Sequence, residues 1–150
     1  MNIEENLTMK GELTVVVRDE NTGTIKQAFT VPNLVVTAGK TYIASRMSGV
    51  TSGVMSHMAI GTGTATAAIG DTVLGVQAGI VALAVSGGTP TTNTISYSAT
   101  FPAGTGTGAI TEAGIFNAAS AGTLLCRTTF PVVNKAAGDS IAITWVVTVS

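Results

Sequence analysis

Residues 12–19 read Glu-Leu-Thr-Val-Val-Val-Arg-Asp, and Leu13, Val15 and Val17 alternate there with Thr14, Val16 and Arg18. That period of two predicts a strand with one face buried. Glu20-Asn-Thr-Gly23 follows, carrying the Asn and Gly that tight reversals favour, so 24–30 is expected to return as the hairpin partner. Pro32 lacks a ladder donor and predicts a break or an edge before 33–36. Residues 38–47 hold the single helical pattern: Tyr42, Ile43 and Met47 fall at helical spacing, Thr37 stands at the N-cap position, and Ser48-Gly49 supplies the stop. Beyond it the strand period returns, with strands expected at 54–60, 79–85, 94–101, 109–117, 123–130 and 140–149, separated by Gly- or Pro-bearing loops. The pattern predicts an all-β fold, an antiparallel β-sandwich of Greek-key or jelly-roll type with one short helix. Residues 1–10 are polar and without period, so the chain divides into an extended N-terminal arm, 1–10, and a single sandwich domain, 11–150.

Two segments echo one another. Tyr97-Ser-Ala-Thr-Phe-Pro102 and Cys126-Arg-Thr-Thr-Phe-Pro131 are each followed by a loop, a Gly and a further strand. The echo is expected to mark repeated hairpins, with Pro102 and Pro131 ending strands at the sheet margin.

Charge changes the picture more than length does. The 150 residues carry seven Lys and Arg against eight Asp and Glu, a net charge of −1, so bulk charge offers nothing to a nucleic acid and no nucleic-acid partner is expected. Only 10% of residues are charged, against roughly 25% in an ordinary soluble domain, and mean hydropathy is +0.48. Between Arg46 and Glu112 the one formal charge is Asp71. A surface so poor in ions costs little to desolvate, which is the property of interface cores. The hairpin pattern from Thr111 to Phe130 is the sharpest case, since Glu112 and Arg127 are its only ionic side chains. No apolar run approaches the roughly 18 residues of a membrane helix, so no membrane partner is expected. Met-Asn-Ile-Glu-Glu at the start lacks the basic and apolar regions of a secretory signal, which predicts synthesis in the cytoplasm.

The candidate chemistry is thin. Gly39-Lys40-Thr41 opens the predicted helix, but Leu34 stands where a phosphate-binding loop needs its first Gly. Gly61-Thr-Gly63 and Gly104-Thr-Gly106-Thr-Gly108 do not complete a dinucleotide loop, because Thr66 and Thr111 stand where the third Gly should be. His57 is the sole His and Cys126 the sole Cys, which leaves neither a metal set nor an intrachain disulfide. Trp145 is expected to anchor the core. No catalytic, metal-binding or cofactor-binding residue is assigned, and an enzyme is not expected.

The stretches VTAGKTYIASRM, MSHMAIGTGTATA and YSATFPAGTGTGAITEAGIFNAASAGTLLCRTTFPVVNKAAGDSIAITWVVTVS together resemble small virion structural proteins of tailed bacteriophages, above all the capsid decoration, or cement, proteins. The resemblance covers about residues 33–150. It implies a β-sandwich, often a jelly roll, that oligomerises on the outside of an icosahedral head and staples neighbouring capsomers, with no active site to carry over. The implied partners are the major capsid protein and further copies of the chain, as a homodimer or homotrimer, and the implied location is the capsid exterior of the virion. Tail or fibre attachment modules share similar segments and form the alternative; a carbohydrate-binding module would need exposed aromatic side chains that this chain scarcely offers. From the residues themselves, Ile3, Leu7 and Met9 on the arm and Glu112, Asn117 and Arg127 on the hairpin are the expected interface positions, with a sister subunit or the capsid lattice covering the hairpin.

Overall fold

The computed structural model describes residues 5–49 and 53–150. Their order is β1 (Met9–Asp19), β2 (Ile25–Val35), α1 (Thr37–Met47), β3 (His57–Gly61), β4 (Gln77–Ala82), β5 (Thr89–Thr91), β6 (Thr94–Phe101), β7 (Gly108–Phe116), β8 (Leu124–Lys135) and β9 (Asp139–Val149). The nine strands form one curled antiparallel sheet in the order β4-β3-β7-β8-β2-β1-β9-β6-β5. The curl brings its two ends together, where the Ala84 N–H donates to the Ser98 carbonyl at 2.8 Å. No helix among the described residues is long and apolar enough to cross a membrane.

The central strands follow the predicted alternation. Leu13, Val15 and Val17 of β1 point into the curl, as do Ile141, Ile143, Trp145 and Val147 of β9, paired in register as Leu13 with Trp145 and Val15 with Ile143. Trp145 is fully buried and anchors this core. β1 starts earlier than the pattern suggested: Met9 and Lys10, assigned to the arm from sequence, pair with Val149 and Thr148, and Thr8 exchanges backbone hydrogen bonds with Ser150.

Of the two readings open for Pro32 the structure takes the edge, while Pro131 needs correction. Pro32 lies inside β2, at the change of partner: the strand runs beside β1 up to Asn33, and only Leu34 and Val35 pair with β8. Pro131 lies inside β8, at a bulge where Phe130, Pro131 and Val132 together face Thr111 of β7. An irregular ladder tolerates a residue that cannot donate. Pro102 does follow the end of β6. The echo that suggested hairpins belongs to crossovers instead, because neither β6 and β7 nor β8 and β9 are neighbours in the sheet. The two crossovers are tied to one another by Lys135, whose Nζ donates to the Pro102 carbonyl at 2.9 Å and to the Asp139 carbonyl at 2.7 Å.

Helix α1 also departs from expectation at its start. Thr37 is its first residue and Val36 occupies the cap position with no side-chain cap. The Thr37 N–H is satisfied by the Ile69 carbonyl, 2.8 Å away on the loop that joins β3 to β4, so a distant carbonyl replaces the local hydroxyl. Tyr42 and Ile43 pack on the core, whereas Met47 is exposed.

Residues 110–116 of β7 and 124–130 of β8 are buried on both faces. Ile110, Ala113 and Ile115 join the main core; on the other side Phe116 and Leu124 form a second cluster with Val36, Ala59 and Leu74, against which Ala38 and Ile80 pack. The helix and loop 62–76 therefore cover the outer face of the hairpin. Its poverty in charge has its reason inside the chain: a strand buried on both faces carries a nearly continuous apolar run.

Candidate functional site

Loop 62–76 is long for a connection between two neighbouring antiparallel strands, and one buried side chain holds it. Glu112 points from β7 to the loop's two ends and is completely buried. Its Oε1 accepts the Gly63 and Val76 N–H groups, both at 2.8 Å, and its Oε2 accepts the Gly75 N–H at 2.9 Å. Such an approach needs a bare backbone: a Cβ built on Gly63 would collide with Glu112 and stand 2.9 Å from the Gly75 Cα. That steric demand, and no dinucleotide, explains Gly61-Thr-Gly63. The Thr111 hydroxyl completes the hold by donating to the Gly63 carbonyl at 2.6 Å.

Arg127, from the neighbouring strand β8, meets the same carboxylate with Nε at 3.0 Å and Nη2 at 2.8 Å. Its Nη2 also donates to the Ala65 carbonyl at 2.9 Å, and its Nη1 reaches Asp71 Oδ2 at 2.7 Å, which in turn accepts the Ala68 N–H. One guanidinium thus links the floor of the loop to its crest. Burial alone would push the Glu112 carboxyl up, but the loop amides and Arg127 outweigh it and hold the group below its ordinary range. The Ala68 amide, helped by Arg127, does the same for Asp71, and the two carboxylates raise Arg127 despite its desolvation. Every oxygen of Glu112 is engaged by protein donors, so the group acts as a structural clamp.

The clamp fixes a crest on which Ile69 and Val73 are exposed to 54% and 63%, with Val76 at the loop's end exposed to 58%. Leu74, between them in sequence, plugs into the second cluster.

The six residues expected at an interface scatter. Ile3 lies outside the described residues. Leu7 is exposed beside β1, and Met9 is half-buried against the core as the first residue of that strand. Asn117 closes the β7–β8 turn, its Oδ1 accepting the Thr123 N–H at 2.6 Å. Glu112 and Arg127 must be corrected: both are buried within the chain with internal partners, so neither side chain is available to a neighbouring subunit. The sequence reading missed Asp71 as their third member, together with the crest they support. The one signal was there, a lone carboxylate in an otherwise uncharged run of more than sixty residues.

The remaining candidates are structural. His57 opens β3 with its Nδ1 2.8 Å from the Ser56 hydroxyl. Cys126 is buried in the main core, where desolvation pushes its thiol well above the ordinary range. An aromatic disulfide reagent is therefore expected to leave the native thiol untouched and to titrate it fully in denaturant; rapid reaction of the folded protein would contradict this placement. No protein-family model, curated protein or solved structure matches the chain.

Proposed function

We propose that the protein is a structural component of a tailed-phage virion, a decoration protein that binds the outside of the head and staples neighbouring capsomers. The clamped loop that exposes Ile69 and Val73 on its crest and Val76 at its end is the observation on which the assignment to an adhesive role rests. The sequence resemblance supplies the phage setting, and a β-sandwich or jelly-roll description of the curled sheet belongs to the same proposal. In this reading the crest faces the major capsid protein. Contacts from a face so poor in ions are apolar and hydrogen-bonded, and so depend weakly on salt. A cement subunit bound at a hundred times its dissociation constant stabilises the assembled shell by about 2.7 kcal/mol per site, which opposes the pressure of packaged DNA.

The test is re-addition of purified protein to DNA-filled heads lacking it, with bound copies counted and rupture temperature measured at low and at molar salt. Saturation at hundreds of copies with a raised rupture temperature is expected, and replacing Ile69 and Val73 by Asp should weaken binding at least roughly tenfold while leaving the protein's own melting unchanged within a few degrees. A handful of copies located on the tail would favour the attachment-module alternative, and unchanged rupture temperatures would remove the cement role.

A further inference from the structure

The sheet is closed or blunted everywhere but along one edge. At one end of the strand order, the segment after β4 is pinned to β6 through Ala84 and Ser98. At the other end β5 is three residues long and contains Pro90. Both are common ways of blunting an edge. Strand β2 differs. It pairs with β1 from Ile25 to Asn33, with a bulge at Lys26, but on its other side only Leu34 and Val35 meet β8. The Thr128 hydroxyl donating to the Pro32 carbonyl is the last bond before the two strands part. Among the described residues no backbone hydrogen bond reaches the outer side of 25–31, and these residues are exposed or half-exposed. Seven consecutive residues with no Pro and one charge present a template for a further strand.

We propose that this edge pairs with the same edge of a second copy, β2 against β2 across a two-fold axis, to join the two sheets into one. The sequence 26–30, Lys-Gln-Ala-Phe-Thr, is complementary to itself when run antiparallel about Ala28. Lys26, at the bulge, then faces Thr30, Gln27 faces Phe29, and Ala28 faces Ala28. No like charges oppose one another, and the only charge, Lys26, is already neutralised by Asp139 at 2.7 Å. The residue on the axis is small, which permits close approach of the strands. Phe29 and Val31 lean on the main core from this strand and remain partly open; the pairing brings Gln27 of the other copy beside Phe29. An isologous contact of this kind closes at two subunits and leaves the crest of loop 62–76 free on each.

This inference selects the dimer from the two oligomers compatible with the proposed function and otherwise stands on the edge itself. Light scattering coupled to size exclusion at roughly 50 µM is expected to give a dimer. Ala28→Lys places like charges on the axis and should raise the dissociation constant roughly tenfold or more, with partial recovery in molar salt, whereas Thr91→Lys on β5 should change nothing. Ala28→Cys should form an intersubunit disulfide on mild oxidation, because paired Cα atoms in such a ladder lie about 4.5–5.5 Å apart. A strict monomer, a trimer, or a dimer indifferent to Ala28→Lys overturns the proposal. Head binding by a monomer would discard this interface and keep the capsid reading; a dimer that ignores heads would do the reverse.

Discussion

Glu112→Gln is expected to cost about 3–5 kcal/mol and to lower the melting temperature by roughly 10 °C or more. The amide keeps the shape but replaces an oxygen that accepts hydrogen bonds by a donor pointed at other donors, and it leaves Arg127 buried beside a neutral group. Arg127→Met should be comparably damaging, since it strands the completely buried Glu112 carboxylate. The double variant should lose less than the sum of the two, because Glu112 and Arg127 removed together leave neither buried charge stranded and only the partly exposed Asp71 without its partner. Thermal melting of the three variants gives the comparison, and additive losses would show that the clamp does not act as a unit.

The same group sets the acid limb. Glu112, Asp71 and Asp139 all have carboxyls held below the ordinary range, so the unfolded chain binds more protons than the native one as pH falls past about 4. Their contribution is fully present above the unfolded carboxylate range and is lost as pH falls through the depressed native values. Stability is thus expected to be flat near neutrality and to drop below about pH 4. Glu112→Gln should lie lower throughout but fall less steeply, because one of the linked protons is gone.

Gly39→Ala is the second large effect, and its sign is opposite to the one helix propensity suggests. Ala at a helix interior is favoured over Gly by about 1 kcal/mol. Here the added methyl would run into the Leu125 carbonyl, with the Leu125 carbon at 2.8 Å and Cα at 2.9 Å, and this obstacle is the backbone of a buried strand rather than a movable side chain. The helix must lift off β8, exposing Val36 and the cluster beneath. A net loss of about 1–3 kcal/mol is expected. Gly70→Ala, where the space is open, should change stability by less than about 0.5 kcal/mol. Equal melting of the two variants would mean that α1 rests on β8 more loosely than its geometry indicates.

How far the sequence led depends on whether the deciding interaction was local. Strands β1, β6 and β9 were legible because their two faces meet different surroundings, and a period of two records that directly; β7, buried on both faces, was legible as a short apolar run bounded by turns. β3 and β4 were placed a few residues off, and β5 was missed, since three residues with a Pro leave no period to read. Pro131 misled because its cost depends on whether a neighbouring strand is present at that residue, which only topology decides. The charge-poor hairpin was correctly marked as covered, but composition cannot distinguish a cover made by a sister subunit from one made by the same chain's loop 62–76. Glu112 and Arg127 stood out for the right reason, their isolation in an apolar stretch. Their partners, the amides of Gly63, Gly75 and Val76, carry no signature in sequence.

The pairing of β1 with β9 has a kinetic consequence. Thr8 and Ser150 bond to each other across 142 positions of sequence, and the eleven paired residues from Met9 to Asp19 bring together opposite ends of the described chain. No local event can complete that ladder. The search for it resembles that of other β-rich chains of high contact order, which fold in milliseconds to seconds rather than microseconds. Until β9 arrives, the Val-rich hairpin of β1 and β2 has formed with both of its flanks open, so crowding during refolding is the condition under which this protein would aggregate. A refolding yield that falls steeply with protein concentration, and recovers when dilution precedes the removal of denaturant, is the mark such a delayed closure leaves.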